Sequence, residues 1–365
     1  MTRIARWCVV AALAIAVIGA PLVVRALPTE GEAISATALL ERIDDARDAP
    51  YEGYVETRGS LDLPVADRFT DVGALLGEQT RLRVWWRGAE DWRVDKLLVS
   101  GETDLVHDAG RTTQWSYERG EAEVSVDPDI RLPRTADLLP PVLAARLLQD
   151  AVASDVERRP ARSVAGHDTL GLRLEPSDPR SSIGRVDVWA DRETGIPLLV
   201  EVYGVVDDVP ALTSQFREVV TDEPEAGRTG FTPPPGADVS FDGVLDIADA
   251  ANQYAPFRPP TTIAGLEATA ATDGAVGVYG SGATRLIAIP LRGREGGPLR
   301  EQLGATLGRR LVPEGTVLSV GPLGVLLTGQ GDDGGWLVAG TVTEETLAAA
   351  ARDLVSGTVV LEDDR

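Results

Sequence analysis

Apolar residues recur along this chain at three different spacings, and the changes between them divide it. The first spacing is no spacing at all: residues 7–24 are uninterrupted by charge, with Arg3 and Arg6 before them and Arg25 after. As a helix, that run reaches roughly 27 Å at 1.5 Å per residue, close to the hydrocarbon thickness of a bilayer. Its basic flank is the end that stays in the cytoplasm, so everything downstream is expected to be exported. Residues 1–26 fit a retained membrane anchor by length, and a cleaved signal by Pro21 and the small Ala26 near a cleavage point. Both readings stay open.

The second spacing is helical. Over 35–49, Leu39, Leu40, Ile43 and Ala46 share one face and Pro50 ends the segment. The third is the alternation of a strand, which begins at Tyr51 and runs to Leu61, followed by an expected loop over 64–77. In 81–87, Leu82, Val84 and Trp86 alternate with Arg81, Arg83, Trp85 and Arg87, and after Gly88-Ala-Glu-Asp91 the pattern resumes over 92–97. That predicts a hairpin with one apolar face and one cationic face. Strands over 105–109 and 113–117 extend it into an antiparallel meander.

Helical spacing returns over 135–150, with the pair Pro140-Pro141 suited to a first turn. Strands are expected over 164–175, 185–191 and 196–203, the last two joined by Arg192-Glu-Thr-Gly195. Proline clusters at 233–235 and 259–260 mark 236–262 as a stiff linker carrying a short helix over 244–253. Beyond it, strands over 275–279, 284–290, 316–320, 324–328 and 336–342 and helices over 298–307 and 344–355 make a small α+β domain, the last helix opened by Thr343 and stopped by Gly357. The expected domains are therefore 34–235 and 263–365.

Charge narrows the partners. With 57 acidic against 35 basic residues the net charge is −22, so nucleic acid and anionic lipid headgroups are repelled as direct ligands. Cys8, the single cysteine, lies inside the apolar run, which leaves no disulfide framework and no lipoprotein signal. His107 and His167 are the two histidines and stand alone in sequence, so no metal site and no cofactor is expected.

The motifs that could carry chemistry each lack a structural requirement. Gly329-Gln-Gly-Asp-Asp-Gly334 has glycines at dinucleotide-loop spacing, but a strand follows where a helix is needed and its two aspartates repel phosphate. It reads as a turn. Lys96 is the sole lysine, so no phosphate-binding loop of the lysine type exists, and Ser281 has no histidine in its domain to serve as base. The pairs Asp44-Asp45, Asp207-Asp208 and Asp363-Asp364 lack calcium-loop spacing and read as solvated turns. No catalytic residue emerges. Trp85, Trp86, Trp92, Trp115 and Trp189 fit either a greasy cavity lining or a plain core.

Tyr51-Glu-Gly-Tyr54, Arg83-Val-Trp-Trp-Arg87 with Trp92-Arg-Val-Asp95, Gly110-Arg-Thr-Thr-Gln-Trp-Ser-Tyr117 and Val186-Asp-Val-Trp-Ala-Asp-Arg-Glu-Thr-Gly-Ile-Pro-Leu198 together resemble the lipoprotein-carrier (LolA/LolB) and RseB/MucB superfamily over 34–235. Val278-Tyr-Gly-Ser-Gly282 and 335–347 are similar to the second domain of the RseB/MucB branch, which simple carriers lack. The resemblance implies an α+β fold: a strongly curved antiparallel half-barrel around a hydrophobic cavity covered by helices, plus a small C-terminal α+β domain.

It also implies a non-enzymatic, extracytoplasmic regulator of an envelope-stress response that senses lipid or lipoprotein and binds the extracytoplasmic part of an anti-sigma factor. On alternation, the acyl chain is expected to meet Leu82, Val84, Trp86, Leu172, Leu174, Val186, Val188, Leu198 and Val200. Burial of an acyl chain is worth about 0.8 kcal/mol per CH₂, enough for selectivity without catalysis. The alternatives are a lipid or lipoprotein carrier with no regulatory partner, and an envelope hydrolase whose carboxylates converge through the fold.

Overall fold

Alternation over the first two-thirds of the chain becomes a single sheet. The computed structural model describes residues 34–61, 70–128, 130–241, 246–255, 257–329 and 334–360. The apolar run 7–24, the centre of the glycine turn at 330–333 and the pair Asp363-Asp364 lie outside these residues. Among the described residues no helix is long and apolar enough to cross a membrane.

The strands are β1 (Tyr51–Gly59), β2 (Gln79–Gly88), β3 (Asp91–Leu98), β4 (Gly101–Asp108), β5 (Arg111–Ser116), β6 (Glu121–Val126), β7 (Val156–Val164), β8 (His167–Leu174), β9 (Ile183–Asp191), β10 (Pro197–Gly204), β11 (Leu212–Val220) and β12 (Asp238–Ser240). They lie in the order β12-β6-β5-β4-β3-β2-β1-β11-β10-β9-β8-β7, so the sheet stays open with edges at β12 and β7. Neighbours are antiparallel except that β12 runs parallel to β6, which makes the expected meander a mixed sheet.

One face of this sheet is apolar and is covered by α1 (Ala36–Asp45), α2 (Thr70–Gly77) and α3 (Pro140–Leu147). Ser35 caps α1 by accepting from the Ala38 amide at 3.0 Å, and its buried Leu39 and Ile43 are four apart, as one face of a helix requires. A four-residue helix, α4 (Ala226–Thr229), touches the other face at β2, β3 and β4.

A second lobe follows. It holds α5 (Ile247–Asn252), the ladders β13 (Phe257–Arg258) with β22 (Val359–Val360) and β14 (Thr262–Ile263) with β15 (Leu266–Glu267), and a six-stranded antiparallel sheet. That sheet runs β16-β17-β21-β20-β19-β18, from β16 (Gly277–Ser281), β17 (Thr284–Leu291), β18 (Arg310–Val312), β19 (Gly315–Val320), β20 (Leu323–Thr328) and β21 (Gly335–Gly340). Helices α6 (Gly293–Ala305) and α7 (Glu344–Gly357) complete it. In α7, Thr343 caps the start by accepting from the Thr346 amide, and Leu347, Ala350, Ala351 and Leu354 form its buried stripe.

The fold class is the one expected, an α+β protein with an open half-barrel and a smaller α+β lobe. Several elements differ from the expectations. Residues 70–77 are a helix, not a loop: Leu75 is buried and Leu76 packs beside it, a stripe too short to show as periodicity. The expected helix over 135–150 splits into a 3-10 turn (Thr135–Leu138) and α3, because Leu139 precedes a proline and is held extended at φ −59°, ψ 137°. Helix α6 starts at Gly293, five residues before Pro298.

In the large sheet β6, β7, β11 and β12 were not among the expected strands, and β7 and β11 show why. β7 contains Arg158, Arg159, Pro160 and Arg162; as an edge strand it tolerates a proline, and its pairing shifts register between Arg159 and Arg162. In β11, Ser214 and Gln215 interrupt the apolar alternation, and Ser214 is buried because its hydroxyl bonds to the Leu138 carbonyl.

Candidate functional site

All nine residues expected to meet an acyl chain are buried on the helix-covered face, and the strand register explains how they come together. Val55 stands opposite Leu82, Gly53 opposite Val84, and Tyr51 opposite Trp86. Farther along the sheet, Leu172, Val188 and Val200 form one cross-strand row and Leu174, Val186 and Val202 the next. The nine do not form one cluster. Leu172, Leu174, Val186, Val188 and Val200 pack with Leu39, Ile43, Leu75, Leu143 and Leu147 of the three helices. Leu82, Val84, Trp86 and Leu198 belong to a second cluster, around Leu139 and Phe216.

The second cluster is built on stacked rings. Tyr51, Trp86, Trp92 and His107 lie side by side on β1 to β4, with successive centroids 5.8, 5.6 and 5.2 Å apart and planes within 9° of parallel. Phe216 meets Tyr51 edge-on, and the Arg134 guanidinium lies 5.3 Å from the Trp92 ring centre. Stacking of this kind adds to the area term for each pair. Burial alone pushes the Tyr51 hydroxyl well above the usual phenol range.

The five tryptophans therefore divide by strand parity. Trp86 and Trp92 are on the covered face, while Trp85, Trp115 and Trp189 follow the opposite parity. There Trp85 sits under Arg93 and Arg228, Trp115 against Phe231, and Trp189 under Arg162 with its indole N–H donating to the Pro160 carbonyl. Trp86 and Trp92 share a buried cluster with the candidates Leu82, Val84 and Leu198, and Trp189 joins that cluster from the opposite parity.

The same opposite face carries an ionic group that sequence reasoning missed. Asp95, Glu102 and Asp104 bring carboxylate oxygens within 4.8 Å of one another. Arg93 Nε donates to Asp95 at 2.6 Å and its Nη2 to Asp104 at 2.8 Å, while Arg83 pairs with Glu102. Burial first, and then the Asp95 charge, pushes the Asp104 carboxyl up to about 7. The cross-strand register brings the group together: Asp95 is opposite both Arg83 and Asp104. In sequence the three acids are scattered, and only a correct pairing of β3 with β4 would have assembled them. Two arginines already answer these acids, so the arrangement reads as a buried ionic brace.

A fourth acid, Asp137, is 5% exposed and accepts from Arg131 at 2.7 and 3.0 Å, Arg146 at 3.1 Å and the Arg134 amide at 2.8 Å. Burial pushes its carboxyl up, but these donors outweigh that and hold it below the ordinary carboxylate range. It pins the segment that covers the stacked rings. The second lobe has its own cavity of about 1200 Å³, between Phe257, Leu291, Trp336 and Leu354, with Arg292 and Arg352 at its lining.

No family model matches the sequence, and no curated protein is similar to it. Solved structures are. The chain is similar to one in the Pseudomonas aeruginosa MucA/MucB complex, at 16% identity over 90% of this chain and 99% of that one, with a TM-score of 0.50. A chain in the structure of MucB in complex with MucA(peri) matches at 17% identity, with the same coverage and a TM-score of 0.50. Coverage of 90% reaches well past Ser240, where the large sheet ends, so both lobes take part in the likeness. The chain has the two-lobed fold of the RseB/MucB type.

Proposed function

We propose that this chain is an extracytoplasmic, non-enzymatic regulator of the RseB/MucB kind. Its first lobe takes the acyl chain of a lipid or lipoprotein into the apolar interior under α1, α2 and α3, and its second lobe takes part in binding the extracytoplasmic segment of an anti-sigma factor. The observation that carries this reading is the likeness of both lobes to a chain found in complex with MucA, since a carrier needs only the first lobe. The interior supports it: Leu172, Leu174, Val186, Val188 and Val200 give an apolar floor under three short helices. Acyl burial there gains about 0.8 kcal/mol per CH₂.

Residues 7–24 serve this role in either form, holding the lobes at the membrane if retained and delivering them across it if cleaved. The test is a binding assay between the chain and the extracytoplasmic segments of the anti-sigma factors of its own cell. Saturable binding of one of them, altered by a monopalmitoyl glycerol probe, is the expected result. Binding of none would sink the regulator reading.

A further inference from the structure

The two lobes exchange turns. The β8–β9 turn of the first lobe enters the second, where the Arg180 guanidinium donates to the carbonyls of Ala264 and Gly265. Around it, the Thr343 amide donates to the Arg180 carbonyl at 2.8 Å and the Ser182 amide to the Thr341 carbonyl at 3.2 Å. In return, the tip of the β16–β17 hairpin enters the first lobe. Its two turn residues are Gly282 and Ala283, between the paired Ser281 and Thr284.

The fit of that tip is close. Gly282 has φ +54°, and a Cβ built on it would lie 2.4 Å from the Gln149 carbonyl oxygen and 3.3 Å from that of Leu147, just past the end of α3. Ala283, 7% exposed, packs in the same apolar cluster as Leu147, Leu148, Leu174, Ile183, Val202 and Leu212. Among the described residues it is the one member of that cluster from the second lobe. A second tight turn lies alongside: Gly321, at φ +53°, would place a Cβ 2.8 Å from Leu61 Cδ2 and 3.2 Å from Ala211 Cβ.

The apolar cluster is thus built from the first lobe's own strands and helices and from one methyl group contributed by the other lobe. We propose that the Gly282–Ala283 tip is a displaceable plug: an acyl chain entering the first-lobe interior competes with Ala283 and loosens the seating of the second lobe. The proposal rests on the ligand reading above and gives that site its regulation. By linkage, whatever unseats the tip strengthens acyl binding by the same factor that acyl binding weakens the seating.

Hydrogen exchange of the full chain tests it at the amides of Ser182 and Thr343, each bonded to a carbonyl of the opposite lobe. Saturating monopalmitoyl glycerol is expected to speed both by about tenfold, a moderate coupling. Gly282→Ala, which pushes the tip off the α3 end, should speed them without the probe and tighten probe affinity about tenfold. Arg180→Ala, which loosens the seating without touching the interior, should move both readouts in the same direction if Gly282→Ala fails to fold. Probe binding with unchanged exchange overturns the plug and leaves the ligand reading standing. Variants that exchange faster yet bind no more tightly also overturn it. Absence of binding to the wild type and to both variants overturns plug and ligand reading together.

Discussion

Arg42 Nη1 on α1 donates to the Arg192 carbonyl at 2.9 Å, and through this bond the first helix rests on the β9–β10 turn. Within that turn Gly195 has φ +78°, and a Cβ there would lie 2.5 Å from the Arg42 carbonyl oxygen. Asp191 Oδ1 accepts from the amides of Glu193 and Thr194 at 3.0 and 2.8 Å, which fixes the loop. The phrase that most resembles the family, 186–198, therefore encodes a seat for the helix that covers the interior.

Gly195→Ala is expected to destabilise the chain by roughly 1–3 kcal/mol, the cost of a strained left-handed residue with a steric clash added. A lower urea midpoint at unchanged slope would show it. An unchanged midpoint would mean that α1 does not bear on this turn.

Much of this was legible beforehand, for identifiable reasons. The hairpin β2–β3 announced itself because each residue has a solvent or core side fixed by the pleat, and Leu82, Val84 and Trp86 obey it. The nine candidate residues are buried for the same reason. Their division into two clusters was not legible, since it depends on Leu139 and Phe216 filling the middle of the sheet. Neither was β7, whose partner supplies the apolar half of the pair: Arg158 faces Leu172. The reciprocal turns between the lobes left no trace either, because turn residues such as Arg180 and Ala283 are chosen by a surface far away in sequence.

Asp104 makes stability depend on pH. Its carboxyl titrates at about 7 in the folded chain because it is buried beside Asp95, and at about 4 when unfolded. Between those values the folded state holds a proton that the unfolded state has released, so stability falls as pH rises from about 4 to 7 and levels off above. Urea midpoints are expected to drop between pH 5 and 8 in the wild type, with that part of the slope missing in Asp104→Asn. Equal slopes would place the proton elsewhere.

Removing Asp137 should cost far more than removing a surface acid. Asp137→Ala leaves Arg131, whose side chain is 18% exposed, without its carboxylate. Removal of one partner from such a buried pair costs about 3–5 kcal/mol. Chemical denaturation reads this loss, and a change below about 1 kcal/mol, the size of an exposed pair, would contradict the burial argument.

An acyl chain held in the first lobe, as proposed above, should stay with the protein through purification. Mass spectrometry of what copurifies with the chain from its own cell envelope tests it most directly. Acylated molecules are expected in about equimolar amount with the folded protein, released on unfolding and greatly reduced in Val188→Asp, whose added carboxylate would stand unpaired in the apolar interior. Folded wild-type protein that carries no acylated molecule and takes up none from added monopalmitoyl glycerol would contradict it.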